Sequence, residues 1–111
     1  MIASAGTVFP LVLNAVGLPN CLTYADVYNK PGSYFKKEGN VWREHFPDGS
    51  QFEFKEVRRT PENIDLLNLT PRPDERDWRT LIVRLPVCGG SAKIILGIPE
   101  RQLNLAEVWR S

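Results

Sequence analysis

The fold is decided between residues 41 and 57, where the chain reads VWREHFPDGSQFEFKEV. Apolar and polar residues alternate on both sides of Pro47-Asp48-Gly49, with the period of two that is typical of half-buried strands. Proline suits the first corner of a type I turn, and glycine suits the left-handed position that follows it. The stretch therefore predicts two antiparallel strands, Val41–Phe46 and Gln51–Val57, joined by a three-residue loop with a bulge.

This loop also predicts which side chains meet across the two strands. The pairs are Phe46 with Ser50, Glu44 with Phe52, and Trp42 with Phe54. The aromatic side chains then share one face, which must be the buried one. We predict that Glu44 lies on that face, followed by Glu56 and Arg58 on the same side. A register shifted by one residue would turn Glu44 outward instead.

Three further apolar segments extend the sheet, and we predict strands at Asn63–Leu69, Thr80–Leu85 and Ala92–Ile98. Earlier in the chain, Thr7–Leu13 resembles a short strand, and Pro10 favours an edge strand or an irregular segment there. Together these segments predict a single mainly β domain over residues 1–111. Its architecture is expected to be a curled antiparallel sheet or small barrel of five to six strands with one or two short helices.

Two segments favour helices over strands. Leu22–Asn29 follows a predicted turn at Gly17–Asn20, and Thr23 and Asp26 are suited to its first turn as cap and as partner of the helix dipole. The tail, Leu103–Arg110, fits either a last strand or a short helix, and we favour the helix.

Composition argues against two classes of partner. The 14 basic and 13 acidic residues leave a formal net charge of +1, so no overall field attracts nucleic acid or an anionic membrane. No stretch approaches the roughly 20 apolar residues of a membrane span. We therefore expect no membrane association and no nucleic-acid partner. A cytoplasmic location is the default expectation, and secretion stays open as the alternative.

Cys21, Cys88 and the single histidine, His45, do not form a metal-binding pattern, because zinc ligands come in closely spaced pairs. We expect neither a metal nor a cofactor. The two cysteines could form one disulfide in a secreted domain. We favour the reduced state, because a domain of this size does not need the extra stabilisation.

Binding is the function that the residues support best. Trp78 follows the polar, proline-rich loop Thr70–Asp77, which we expect to project from the sheet, and it lies close to Arg72, Arg76 and Arg79. An aromatic ring beside arginines suits a sugar ring, a peptide or an unpaired base. The alternative is that Trp78 only caps the end of the sheet. The expected function is a non-catalytic module that recognises a glycan, a peptide or a protein partner.

Two other functions stay open. An interior pocket around Glu44 and Arg58 would suit a small-ligand carrier, although a buried ion pair explains the same residues. A nuclease or other hydrolase could use Glu44 with the arginines, but His45 must point to the opposite face of the strand. A free edge at Ala92–Ile98 would also favour a homodimer.

Overall fold

The computed structural model describes residue 21 and residues 23–111. The predicted strand Thr7–Leu13 and the predicted turn Gly17–Asn20 lie outside these residues. The described part contains eight strands and one short 3-10 helix, Trp78–Thr80. The strands are β1 (Val27–Lys30), β2 (Ser33–Glu38), β3 (Val41–His45), β4 (Gln51–Arg59), β5 (Asn63–Asn68), β6 (Ile82–Pro86), β7 (Gly90–Leu96) and β8 (Arg101–Arg110).

Each strand pairs antiparallel with the next, and β1 pairs with β8, so the sheet closes into a barrel. The predicted mainly β, antiparallel barrel class is confirmed, with more strands than the expected five to six. No helix in the described part of the chain is long and apolar enough to span a membrane.

Both predicted helices are wrong. Within Leu22–Asn29, Val27 begins strand β1 and Tyr28 is fully buried opposite Phe35, because this pairing outweighs a weak capping signal. The tail is strand β8, which pairs along β7 and closes the barrel. Strand β7 is thus paired on both sides, by β6 and β8, and the free edge expected at Ala92–Ile98 is not present there.

The central hairpin has the predicted register. The Phe46 amide donates to the Ser50 carbonyl at 3.0 Å, and Gly49 adopts φ +89°. Trp42 pairs with Phe54 and both are fully buried, while Glu44 pairs with Phe52 and is 5% exposed. The inward orientation predicted for Glu44 is confirmed.

A bulge in β4 reverses the prediction for Arg58. Glu56 pairs with Leu66, but the next pair joins Arg58 to Asp65, which leaves Val57 as the extra residue. Because one inserted residue changes the alternation of sides, Arg58 is exposed on the outer face. Arg59 takes the inner position, where its Nε donates to Glu56 Oε2 at 2.9 Å and its Nη2 to Oε1 at 2.7 Å.

The two ends of the barrel differ. We call the end formed by residues 23–26, 60–62 and 87–89 the disulfide end, and the end formed by residues 31–32, 46–50, 69–81 and 97–100 the loop end. The middle of the interior is filled by fully buried side chains: Tyr28, Phe35, Trp42, Phe54, Ile64, Leu66 and Leu85. Towards the disulfide end, Trp42 Nε1 donates to Glu56 Oε1 at 3.0 Å, and the Arg59 guanidinium stacks on the Tyr24 ring at 4.1 Å.

A disulfide joins Cys21 to Cys88, with 5.5 Å between their Cα atoms. The expectation of reduced cysteines is therefore wrong. Barrel closure brings the chain entering β1 next to the turn between β6 and β7, where the Tyr28 hydroxyl also donates to the Val87 carbonyl at 2.6 Å. This proximity depends on strand pairing across most of the chain, so the spacing of two cysteines could not reveal it.

Removing the bridge should destabilise the barrel. The disulfide spans 67 residues, and a cross-link over such a loop restricts the unfolded chain. We expect the double substitution Cys21→Ser and Cys88→Ser to lower the free energy of unfolding by about 2–4 kcal/mol in urea titrations. Reducing the wild-type protein should have a similar effect, and an unchanged urea midpoint in both experiments would contradict this account.

The Glu56 interaction should make stability depend on pH. The Arg59 hydrogen bonds, helped by Trp42, hold the pKa of Glu56 below its ordinary value despite partial burial. A carboxyl group whose pKa is lower in the folded state than in the unfolded state stabilises the protein at pH values above its unfolded-state pKa. This stabilisation is lost as the pH falls through the folded-state pKa. Glu56→Gln should therefore cost about 1–2 kcal/mol at pH 7 and progressively less below about pH 4.

Urea titrations at several pH values would measure this difference, with exposed Glu62→Gln as the control. A cost for Glu56→Gln that is the same at pH 3 and pH 7 would show that the charge of Glu56 does not contribute.

Candidate ligand site at the loop end of the barrel

Segment 69–81, which connects β5 to β6, is tied back onto the loop end of the barrel rather than projecting. The buried amide of Asn68 donates from Nδ2 to the carbonyls of Thr70 at 2.7 Å and Trp78 at 3.1 Å, so one side chain holds both ends of the segment. On the other side, Arg101 at the start of β8 reaches Asp77 Oδ2 at 3.3 Å. The segment is therefore a fixed part of the barrel end.

Arg72 points from this segment into the barrel end. Its guanidinium carbon lies 4.0 Å from the centroid of the Phe52 ring and 5.9 Å from that of Phe54. Burial lowers the pKa of Arg72 below its ordinary value, while the nearby carboxylates of Glu44, Asp74 and Glu75 act in the opposite direction. The guanidinium thus lies on an aromatic wall and is partly removed from water.

The charge of Arg72 is poorly compensated. Its buried Nε atom has no hydrogen-bond partner among residues 21 and 23–111. Among the ion pairs of the described residues, none includes Arg72. An unsatisfied buried donor costs about 1–3 kcal/mol, and more when the group is charged. In native proteins such a donor is usually satisfied by an ordered water, an ion or a ligand.

Glu44 lies on β3 directly opposite Phe52 in the strand pairing, and its carboxylate already has partners. Its Oε2 accepts a hydrogen bond from Ser33 Oγ at 2.7 Å, and Lys30 Nζ lies 3.7 Å from the same oxygen. Lys30 and Ser33 flank the turn between β1 and β2. The sequence analysis missed both residues, because their proximity to Glu44 follows from the pairing of β1, β2 and β3.

A cavity of about 250 Å³ opens at the loop end, between segment 69–81 and strands β7 and β8. One guanidinium, two carboxylates and four aliphatic side chains line it: Arg72, Asp74, Glu75, Leu81, Ile94, Leu96 and Leu103. The aliphatic residues match ordinary core positions in the sequence, so no local signal distinguished them. Leu103 is 47% exposed, which leaves apolar surface at the mouth of the cavity.

The outer side of segment 69–81 carries the other predicted residues. The Arg79 guanidinium stacks on the Trp78 ring at 4.4 Å, and the Arg76 side chain is 92% exposed. Arg72 and Glu44 are therefore brought together inside the loop end, while Trp78, Arg76 and Arg79 lie outside it.

Arg58 belongs to neither group. It lies towards the disulfide end, beside a shallow cavity of about 190 Å³ that Asp65 and Arg84 also line. Arg84 Nε lies 2.8 Å from Asp65 Oδ1, and this ion pair holds the Arg84 side chain beside the cavity. The interior pocket expected around Glu44 and Arg58 is not formed.

His45 lies on the outer face, opposite to Glu44 as expected. Its Nε2 is 2.9 Å from Glu38 Oε2, and its ring stacks on Tyr34 with 4.9 Å between centroids. Hydrogen bonds from Arg43 and His45 lower the pKa of Glu38. Glu44 and His45 thus have separate partners and do not form an acid–base pair in one cleft. Among the described residues, no cluster of three or more His, Cys, Asp and Glu is arranged to hold a metal ion.

Comparison of the chain with family models, with curated proteins and with solved structures found no match. The function is therefore argued from the geometry of the barrel alone.

Replacing Arg72 should stabilise the protein. Arg72→Met keeps an adaptable apolar chain against Phe52 and removes the desolvation cost of a charged donor that has no partner among the described residues. We expect the free energy of unfolding to rise by about 1 kcal/mol in urea titrations. Arg58→Met, at an exposed arginine, should change it by less than about 0.5 kcal/mol. A large loss of stability in Arg72→Met would show that the charge is satisfied and structural.

Proposed function

We propose that this chain is a non-catalytic binding module that recognises a glycan, a peptide or a protein partner through segment 69–81. The observation that carries the proposal is that the segment is anchored at both ends while its outer side carries an aromatic–arginine pair, with a partly buried tryptophan and an exposed arginine. Asn68 and Arg101 provide the anchors, and Trp78 with Arg79 forms the pair. A contact surface that is already ordered loses little conformational entropy on binding.

The charges of the segment favour recognition by shape and stacking. Its three arginines are matched by three acidic residues, Asp74, Glu75 and Asp77, so the segment carries no net charge. A phosphate backbone would require an excess of cations. A sugar ring or a peptide can instead use the exposed part of Trp78, whose ring is stacked by Arg79, and the hydrogen-bond donors of Arg76 and Arg79.

The placement of the titratable groups supports binding over hydrolysis. Glu44 is engaged by Ser33 and Lys30 inside the barrel, and His45 is engaged by Glu38 outside it. General acid–base catalysis needs both groups within reach of one substrate.

The Cys21–Cys88 disulfide favours a secreted location over a cytoplasmic one, because disulfides are rare in cytosolic proteins.

Substitution of Trp78 tests the proposal. The wild-type protein would be screened on glycan and peptide arrays, and the affinity for each hit would be measured with Trp78→Ala. We expect affinity to fall roughly 10-fold or more, because truncating a stacked aromatic anchor typically costs over 1 kcal/mol.

The matched control is Trp109→Ala, since Trp109 is 50% exposed on β8 near the disulfide end. Equal losses for the two variants, or unchanged affinity in a folded Trp78→Ala protein, would refute the role of segment 69–81.

A further inference from the structure

We propose that the loop-end cavity binds a free aliphatic α-amino acid, with leucine as the representative. The cavity brings together two carboxylates, four aliphatic side chains and one guanidinium, whose Nε has no partner in the part of the chain that the structure describes. The guanidinium can bind the α-carboxylate of such a ligand, the carboxylates can bind its α-ammonium group, and the aliphatic side chains can contact its side chain. The inference goes beyond the proposed function, because it concerns the inner side of segment 69–81 and does not require a partner on the outer side.

Arg72 supplies the anion-binding part of the site. Its guanidinium is partly desolvated against Phe52, and its Nε has no partner among the described residues. A carboxylate can accept two parallel hydrogen bonds from a guanidinium, which is the strongest geometry for this pair. An α-carboxylate in the cavity would therefore give the Arg72 guanidinium an anionic partner that no ion pair of the described residues provides.

Asp74 and Glu75 supply the cation-binding part. Glu75 is partly engaged, because its Oε2 accepts a hydrogen bond from the Asp77 amide at 2.9 Å and lies 3.9 Å from Arg101. In the described part of the chain, Asp74 has no ion pair and no side-chain hydrogen bond. Its carboxylate is thus available to accept a hydrogen bond from an ammonium group close to Arg72.

The aliphatic wall and the volume limit the side chain of the ligand. Leu81, Ile94, Leu96 and Leu103 offer only apolar contacts, so they favour a hydrocarbon side chain. The volume of the cavity is about 250 Å³. It lies below the ~300–1,000 Å³ of sites for drug-sized ligands, which suits a single amino acid.

The pairing of charges excludes two simpler ligands. A fatty acid would satisfy Arg72 but would add a third carboxylate to those of Asp74 and Glu75, with Arg72 as the one cation among the residues that line the cavity. An aliphatic amine would satisfy the carboxylates but leave Arg72 without a partner. Only a zwitterion with adjacent opposite charges compensates both sides of the cavity.

The experiment is a titration of the full chain, followed by isothermal calorimetry and by NMR chemical-shift changes. The probes are L-leucine, 4-methylpentanoate, which lacks the ammonium, 3-methylbutylamine, which lacks the carboxylate, and glycine, which lacks the side chain. We expect saturable binding of leucine and affinities at least roughly 10-fold weaker for each of the other three.

Two variants assign the charges. Arg72→Met should lose leucine binding, and Asp74→Asn should weaken it roughly 10- to 100-fold, as expected for a hydrogen bond to a charged group. Arg58→Met, at the other end of the barrel, should bind leucine like the wild type. Circular dichroism would confirm that each variant is folded.

Absence of saturable leucine binding would overturn the proposal, as would leucine binding that survives Arg72→Met in the folded protein. Equal affinity for 4-methylpentanoate would overturn it in favour of a fatty acid. Because Trp78 does not line the cavity, these results are independent of the array experiment, and either proposal can fail while the other stands.

Discussion

Closure of the barrel by the pairing of β1 with β8 is the constraint on which the other features depend. The contact is short, with Tyr28 opposite Arg110 and Asn29 opposite Trp109. It nevertheless removes both edges of an eight-stranded antiparallel meander, and an unpaired edge exposes rows of backbone donors and acceptors. Closure also buries Tyr28 completely and brings the chain before β1 to Cys88.

The two ends of the closed barrel differ in how completely their buried charged groups are hydrogen-bonded. Towards the disulfide end, Glu56 is satisfied by Arg59 and Trp42, so the charge is held in a complete network. At the loop end, Arg72 lies against aromatic rings with its Nε unsatisfied. Buried polar groups are stabilising only when they are fully satisfied. This difference is the physical reason for placing a ligand site at the loop end, because a bound carboxylate would complete a network that the protein leaves incomplete.

The errors of the sequence analysis have a common origin in pairing between distant segments. The segment before Lys30 carries a helix-capping pattern, but Tyr28 gains more from burial opposite Phe35 than a short isolated helix could provide. The inward prediction for Arg58 assumes that side chains keep alternating between the two faces of the sheet past Glu56. One bulge reverses the face of every later residue in the strand. Neither the bulge nor the proximity of Cys21 to Cys88 has a local signature.

The sequence by itself determined the central hairpin, the mainly antiparallel β class and the inward orientation of Glu44. These features follow from interactions between neighbouring residues, namely the turn preferences of Pro47-Asp48-Gly49 and the two-residue period of the flanking strands. Only the tertiary structure decided the number of strands, the disulfide and the insertion of Arg72 between Asp74, Glu75 and the aliphatic wall. Each of these depends on which distant strands become neighbours when the barrel closes, and local periodicity carries no information about that choice.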